Sequence, residues 1–367
     1  MKKIIIVAPK ADTIINFREN LIEDIQKRNF EVITISPAPI NQYKDIFHKK
    51  SFLSIFINFK NNRINPLKDF NLIIKLFRIF KKESPSIILS YAIKPIIWSG
   101  FLSKYFNTSF YALITGVGFT LHGTSLKRKI LKKIVIFLYR ISLKNSKAVI
   151  FQNNDNLNLF IEENIIPKSK TFLVNGSGVD TSKFDAAPLP LDGISFLCIA
   201  RLLGEKGLRE YAAAAKIVKK EYSDVKFNLL GSLDTSFDAI SIDEIKSWSD
   251  YINYQGLTTD VRPYLKKTHV FVLPSYHEGI PKSTLEAMSM GRAILTTDAV
   301  GCKETVKNDL NGFKVPVGSV DKLVEKMRWF ITHSEKIKTM GIESRRMVEE
   351  KFDVKKVNLK IMEIMGI

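Results

Sequence analysis

The chain has 367 residues, is 45% hydrophobic and carries a formal net charge of +19 at pH 7. It is too long for one ordinary domain and apolar enough to bury two cores. Its two cysteines, Cys198 and Cys302, stand far apart without metal-ligand spacing around either. The composition therefore predicts reduced thiols in a cytosolic protein and argues against a clustered-cysteine metal site.

The positive charge is concentrated in the first half of the chain. Residues 1–190 contain 29 Lys and Arg against 13 Asp and Glu, a net charge of +16, whereas the remainder has 27 against 24, a net charge of +3. No acidic residue stands between Glu83 and Asp155, a stretch with ten Lys or Arg. An electropositive face of this kind attracts nucleic acid, anionic lipid headgroups or a pyrophosphate-bearing substrate. Charge alone leaves these three partners open.

Short β-branched runs alternate with longer amphipathic runs, which is typical of parallel strands joined by crossover helices. The strands predicted in the first half are residues 4–8, 31–35, 87–90, 109–113, 148–151 and 171–174. Those predicted in the second half are residues 195–199, 226–230, 252–255, 270–273, 293–296 and 312–315. The fold class is therefore predicted as α/β, with two Rossmann-like domains facing across a cleft.

The predicted domains are residues 1–187 and 188–345, followed by a final helix, 346–367, that packs back toward the first domain. Residues 185–193 combine prolines, small residues and a glycine, so they are predicted to form the linker. The apolar run at residues 4–8 is too short for a signal peptide. The longest uncharged stretch, residues 105–126, has too many polar residues and glycines for a spanning helix, so no transmembrane segment is predicted.

The most informative segment is residues 270–291, VFVLPSYHEGIPKSTLEAMSMG. A strand ends at Pro274, a loop with glycine and proline follows, and a helix is predicted to begin between Pro281 and Ser283. Glu278 lies on the loop and Glu286 on the helix. The helix N-terminus suits a diphosphate, and the flanking carboxylates can accept hydrogen bonds from sugar hydroxyls. A nucleotide sugar contains both kinds of group.

Here the chain resembles the retaining glycosyltransferase family 4, whose two glutamates with seven residues between them correspond to Glu278 and Glu286. Similar segments are residues 16–18, 115–118, 175–180, 200–207, 229–231, 260–263, 301–306 and 311–313. The resemblance implies the GT-B fold and a hexosyltransferase that retains the anomeric configuration of its sugar-nucleotide donor. It also implies that a phosphate oxygen of the donor accepts the acceptor proton, so no enzymatic nucleophile is named.

The predicted donor site lies in the second half. By resemblance, Glu278 holds hydroxyls of the donor sugar and Glu286 those of the ribose. Arg201 and Lys206 are predicted to face the diphosphate and to stabilise the charge that builds on it as the glycosidic bond breaks. The predicted catalytic residues are Arg201, Lys206 and Glu278, and the predicted donor-binding residues are Glu286, Gly279, Ile280, Ser283, Thr284 and Gly231. No Asp-X-Asp pair stands in a suitable loop, so we expect no metal and no cofactor beyond the UDP-sugar substrate.

The predicted acceptor site lies in the first half. Arg18 and Lys94 are expected to contact an acceptor phosphate. Gly116, Gly118 and His122 complete the predicted acceptor-binding set. Many family members have a histidine beside the position of Lys94, where this chain has Ile93, so no catalytic base is assigned.

Two basic amphipathic helices are predicted in the electropositive half. Residues 126–145 place Leu126, Ile130, Ile134, Phe137, Leu138 and Ile141 on one face, with basic residues opposite and beside it. Residues 66–82 place Phe70, Ile73, Ile74, Phe77 and Phe80 opposite Lys75, Arg78 and Lys82. These apolar faces pack either on the sheet of their own domain or on an anionic membrane surface.

The sequence therefore predicts an enzyme that moves a sugar, an N-acetylhexosamine or a related uronic acid, from a UDP-sugar to a polyprenyl-diphosphate-linked saccharide. Relatives imply bacterial surface polysaccharide or oligosaccharide synthesis, in the cytoplasm at the inner face of the membrane. The first domain is predicted to bind the acceptor and the second the nucleotide sugar. Two alternatives remain: a sugar-nucleotide epimerase with the same fold, and a basic nucleic-acid-binding protein, which lacks a helix-turn-helix signature here.

Overall fold

The structure, a computed structural model, describes residues 1–39, 41–59, 66–116, 126–236 and 238–367. It divides the chain into two units. The first comprises Met1–Ser177 together with Val357–Ile367, and the second is Gly178–Lys356. Each unit contains one parallel sheet flanked by helices. Residues 185–193, the segment predicted to be a linker, belong to the second unit.

The first sheet has seven strands. They are β1 (Lys2–Val7), β2 (Phe30–Ser36), β3 (Leu53–Phe56), β4 (Ile87–Tyr91), β5 (Ser109–Ile114), β6 (Ala148–Phe151) and β7 (Thr171–Leu173). Their order across the sheet is β3-β2-β1-β4-β5-β6-β7, and the pairs are parallel. The strand order reverses beside β1, so the loops after β1 and β4 lie where ligands bind in open parallel sheets.

The helices of the first unit cover both faces of this sheet. They are α1 (Ala11–Gln26), α2 (Asn41–His48), α3 (Pro66–Glu83), α4 (Ile93–Ser103), α5 (Leu126–Leu143), α6 (Asn154–Glu162) and, from Val357 onward, α13 (Val354–Met365). Side chains of α1 and α13 pack with Ile4 and Ile6, whereas those of α3, α4 and α5 pack with Ile5 and Val7. This alternation along β1 produces two apolar layers, one on each face of the sheet.

The second sheet has six strands. They are β8 (Ser195–Ile199), β9 (Lys226–Leu230), β10 (Asn253–Tyr254), β11 (Val270–Leu273), β12 (Ala293–Thr297) and β13 (Gly312–Val315), in the order β10-β9-β8-β11-β12-β13. The helices are α7 (Leu208–Glu221), α8 (Ile242–Lys246), α9 (Arg262–Lys266), α10 (Lys282–Ser289), α11 (Val320–Thr332) and α12 (Ser334–Met347). The strand order reverses beside β8, which places the loops after β8 and β11 next to each other.

All twelve predicted strands are present, with ends that differ by at most two residues, and the predicted α/β class is confirmed. The sequence analysis missed β3. That strand lies at the sheet edge, and Leu53 and Phe56 are exposed, so it has neither the fully buried run nor the alternation that mark its neighbours. Among the helices within the described ranges, none combines the length and the apolar character needed to cross a membrane.

Candidate functional site

Two loops at the carboxyl edge of the second sheet lie in direct contact. One follows β8 and the other follows β11. The Tyr276 amide donates to the Glu205 carbonyl at 2.9 Å, and the Ser275 hydroxyl donates to the same oxygen at 3.2 Å. Gly207 has a φ of +68°, and a Cβ there would lie 2.0 Å from the Pro274 carbonyl oxygen. The approach of the loops therefore requires glycine at this position.

This approach brings Lys206 and Glu278 together. The Lys206 ammonium donates to Glu278 Oε1 at 2.7 Å, and both side chains are largely buried. The Glu278 amide donates to the Val300 carbonyl at 2.9 Å, which fixes the backbone that carries the carboxylate. Gly301 permits this packing, because a Cβ there would lie 2.4 Å from the Glu278 carbonyl oxygen. The pair joins residues 72 positions apart in one site.

Helix α10 begins just after this pair. Pro281 precedes it and provides no side-chain cap, so the first amides of the helix, which include those of Ser283 and Thr284, lack a side-chain acceptor there. The N-terminus of a helix carries a partial positive charge and binds phosphate groups readily. Gly279 and Ile280 lie in the loop that leads into α10. The described residues thus place a lysine, a carboxylate and an open helix end side by side.

Glu286 lies one turn into α10, and its side chain is 13% exposed. Burial raises the pKa of its carboxyl group above the ordinary 4.5, and the positive charges of Lys282 and Lys183 partly offset this rise. The Lys282 ammonium stands 3.8 Å from Glu286 Oε1, four residues earlier on the same helix. Sequence reasoning did not single out Lys282, although the spacing of four residues predicts such a contact on any helix.

Arg201 lies in the loop after β8, on the same edge of the sheet, but its only described partner is Asp234. Its guanidinium is 3.1 Å from the Asp234 carboxylate, and its side chain is half exposed. Gly231 packs beside this loop, where a Cβ would lie 1.8 Å from the Ala200 carbonyl oxygen. Nothing in the sequence pattern pointed to Asp234. The structure therefore joins Lys206 to Glu278 directly, whereas Arg201, on the same loop as Lys206, is paired with Asp234.

The predicted acceptor residues lie in the first unit. Arg18 is buried on α1. Lys94 is buried on α4, and its ammonium contacts the Asp69 carboxylate at 2.8 Å, an internal partner that the sequence analysis missed. Gly116 follows β5 with a φ of +154°. Gly118 and His122 lie outside the described residues.

Comparison with known proteins identifies relatives over most of the chain. Residues 193–333 match the family described as glycosyl transferases group 1, and residues 3–153 match the glycosyl transferase 4-like family. The chain is 26% identical over 335 residues to the N,N'-diacetylbacillosaminyl-diphospho-undecaprenol alpha-1,3-N-acetylgalactosaminyltransferase of Campylobacter jejuni, with 86% of this chain and 85% of that protein covered. It is 25% identical over 362 residues to the UDP-Gal:alpha-D-GlcNAc-diphosphoundecaprenol alpha-1,3-galactosyltransferase of Escherichia coli, with 92% and 88% covered.

The same architecture occurs in a solved structure, that of Anabaena HepE in complex with UDP and glucose, with a TM-score of 0.81, 15% identity and full coverage of both chains. The two Rossmann-like units thus correspond to the GT-B fold. Residues 3–153 form a glycosyl transferase 4-like domain and residues 193–333 a glycosyl transferases group 1 domain, and the two matches together span most of the chain. The predicted family, fold and enzyme class are confirmed.

Proposed function

We propose that this enzyme transfers a hexose-type sugar, namely an N-acetylhexosamine or a related uronic acid, from a UDP-sugar to a polyprenyl-diphosphate-linked saccharide. The transfer retains the anomeric configuration and belongs to bacterial surface polysaccharide synthesis. The observation that carries this proposal is the Lys206–Glu278 contact of 2.7 Å beside the open N-terminus of α10. The names of the two relatives, both alpha-1,3 transferases with a diphospho-undecaprenol acceptor, support the acceptor class and the stereochemistry.

The leaving group of such a reaction is a nucleoside diphosphate. Negative charge builds on its β-phosphate as the glycosidic bond breaks, and preorganised positive groups lower the barrier most where water is excluded. Lys206 is well placed for this role, because it is buried, fixed by Glu278 and next to the α10 N-terminus. Arg201, which is half exposed, adds positive charge from the same loop. In this proposal these groups take the place of a bridging metal ion.

The two glutamates have different tasks. Glu278 accepts hydrogen bonds from hydroxyls of the donor sugar and also accepts the hydrogen bond from the Lys206 ammonium. Glu286, farther along α10, accepts from the ribose hydroxyls. A phosphate oxygen of the donor takes the proton of the acceptor hydroxyl on the face from which the diphosphate leaves. Retention then follows without a covalent intermediate.

Nucleotide binding tests the donor class. UDP is expected to raise the Tm of the wild-type enzyme, whereas GDP, ADP and CMP are expected to have little effect. A ligand at 100 times its Kd stabilises the folded state by about 2.7 kcal/mol. The measurement is a thermal-shift titration with the four nucleotides. An enzyme that responds to none of them contradicts the proposal, and a response to GDP alone reassigns the donor.

We also propose that α5 binds the surface of an anionic membrane. Its buried face includes Val135, Tyr139 and Leu143, whereas the apolar stripe predicted from sequence is largely exposed: Ile130 is 53% and Phe137 is 60% accessible. Apolar residues exposed in a row on one helix face mark an interaction surface. Exposed lysines flank the stripe, and each one near an anionic leaflet contributes about 1 kcal/mol.

The membrane proposal predicts a loss of vesicle binding when the stripe becomes polar. Replacing both Ile130 and Phe137 by serine is expected to lower co-sedimentation with anionic phosphatidylglycerol vesicles at least tenfold, because each buried apolar side chain contributes about 1.5–3 kcal/mol. The matched control is Ile342→Ser, which changes an isoleucine that is 58% exposed on α12. Equal binding by the double variant and the control rejects α5 as the contact surface. The Tm should stay unchanged in both variants.

A further inference from the structure

Arg18 is a buried cation that has no counter-charge among the described residues. It lies on α1, is 2% exposed, and its guanidinium carbon stands 5.1 Å from the centre of the Tyr91 ring. Its Nε is enclosed without a hydrogen-bond acceptor. Burial lowers the pKa of the guanidinium to about 10, so it is still charged at neutral pH. A buried charge without a partner is costly, and an apolar side chain would pack here at lower cost.

A second positive feature follows Tyr91 along the chain. That residue ends β4, and α4 begins only two positions later, at Ile93. Between them Ala92 has a φ of +67°, an unfavourable conformation for a residue with a Cβ, and it gives α4 no side-chain cap. The first amides of α4 therefore lack a cap and form the positive end of the helix. The loop that carries this strain follows β4, one of the two strands at the reversal of strand order.

The neighbouring polar groups already have internal partners. The Tyr91 hydroxyl is 3.0 Å from the Thr13 hydroxyl, and the Lys94 ammonium contacts Asp69 at 2.8 Å. Trp98 donates to the same carboxylate at 3.2 Å. Lys94 therefore serves to hold α3 against α4, and the positive charge left for a ligand belongs to Arg18 and the start of α4.

We propose that Arg18 and the N-terminus of α4 bind one phosphoryl group of the acceptor diphosphate. This inference rests on the proposed function, because it assigns a ligand chemistry to the acceptor side of the same reaction. A guanidinium pairs with phosphate through two parallel hydrogen bonds, and helix N-termini bind the same group through backbone amides. Because no carboxylate of the described residues pairs with Arg18, the negative charge that Arg18 binds comes from the substrate. Arg18 acts as a binding residue and takes no part in proton transfer.

The test measures diphosphate binding while the donor site is filled. With UDP at saturating concentration, calorimetry gives the Kd of farnesyl diphosphate, inorganic pyrophosphate and farnesol for each variant. Arg18→Met is expected to weaken farnesyl diphosphate binding roughly 30-fold, because one partner of a buried charge pair is removed. Arg18→Lys should retain part of the affinity. The matched control is Arg28→Met, which removes an exposed arginine just after α1 and should bind as the wild type does.

The outcomes separate the two sources of the anion and the two proposals. If only farnesyl diphosphate binds in an Arg18-dependent way, the ligand is a lipid diphosphate. If pyrophosphate also binds in an Arg18-dependent way, the site recognises the diphosphate group alone. Either result supports the site. Equal affinities of Arg18→Met and wild type, or no binding of either diphosphate by the wild type, overturn it. The UDP titration made beforehand reports on the donor proposal independently. Without ligand, Arg18→Met should have an equal or higher Tm, and a lower Tm with unchanged affinity would make Arg18 a structural residue.

Discussion

Lys206→Met is expected to lower kcat about 100- to 1,000-fold, which is the usual effect of removing one preorganised group that stabilises developing negative charge. Methionine preserves the length of the side chain but cannot neutralise a β-phosphate. The KM for the UDP-sugar should change far less than kcat, because the charge on the phosphate is greatest in the transition state. The measurement is UDP release from the donor that the wild-type enzyme uses. Lys220→Met, on the exposed face of α7, is the matched control.

The stability of the same variants separates catalysis from folding. In Lys206→Met the Glu278 carboxylate loses its 2.7 Å partner, and an unpaired, largely buried acceptor costs about 1–3 kcal/mol. The Tm should therefore fall. Adding Glu278→Gln removes the stranded charge, so the double variant should recover most of the Tm and none of the activity. A double variant that regains both would show that transfer needs neither the Lys206 charge nor the Glu278 carboxylate.

Glu286→Gln is expected to weaken UDP binding at least tenfold, because a charged hydrogen-bond acceptor contributes about 1.5–3 kcal/mol. Without ligand, however, the variant should be more stable than the wild type at neutral pH. Burial raises the pKa of Glu286 in the folded state above 4.5. Between 4.5 and that raised pKa the folded state binds more protons than the unfolded state, so the folded state loses stability as pH rises through this range. Glutamine has no charge to bury and avoids that loss. Glu335→Gln, an exposed glutamate on α12, is the control for both measurements.

The pH dependence of UDP affinity gives a further check on Glu286. Protonation removes its capacity to accept hydroxyl hydrogen bonds as a carboxylate, so wild-type affinity should fall as pH decreases through the raised pKa. The fall should begin at a higher pH than for an ordinary glutamate. The Glu286→Gln enzyme should lack this part of the pH dependence. Parallel pH profiles for the two enzymes would mean that another group causes the change in affinity.

Most strands could be predicted from sequence because the inner strands of each sheet are buried on both faces and therefore appear as continuous apolar runs. The exception, β3, is an edge strand with exposed side chains and gives no such signal. The loop and helix around Glu278 and Glu286 could also be placed, since proline, glycine and the apolar strand before them mark the boundaries. What these local patterns specify is where elements begin and end.

Contacts between distant loops could not be predicted in the same way. The Lys206–Glu278 pair depends on the close approach of Gly207 to Pro274. The Arg201–Asp234 and Lys94–Asp69 pairs join segments 33 and 25 positions apart. For α5, periodicity shows an amphipathic helix but not which of two adjacent apolar stripes is buried. Packing of Val135, Tyr139 and Leu143 on the sheet decides that, and leaves the other stripe exposed.

In the proposed donor site, Lys206, Glu278 and the start of α10 together bind the diphosphate and the sugar. The decisive measurement is a crystal structure of the enzyme with UDP. We expect a β-phosphate oxygen within about 3 Å of the Lys206 ammonium and of an α10 amide, with the ribose hydroxyls on Glu286. A structure in which UDP binds elsewhere, with Lys206 contacting only Glu278, would contradict it.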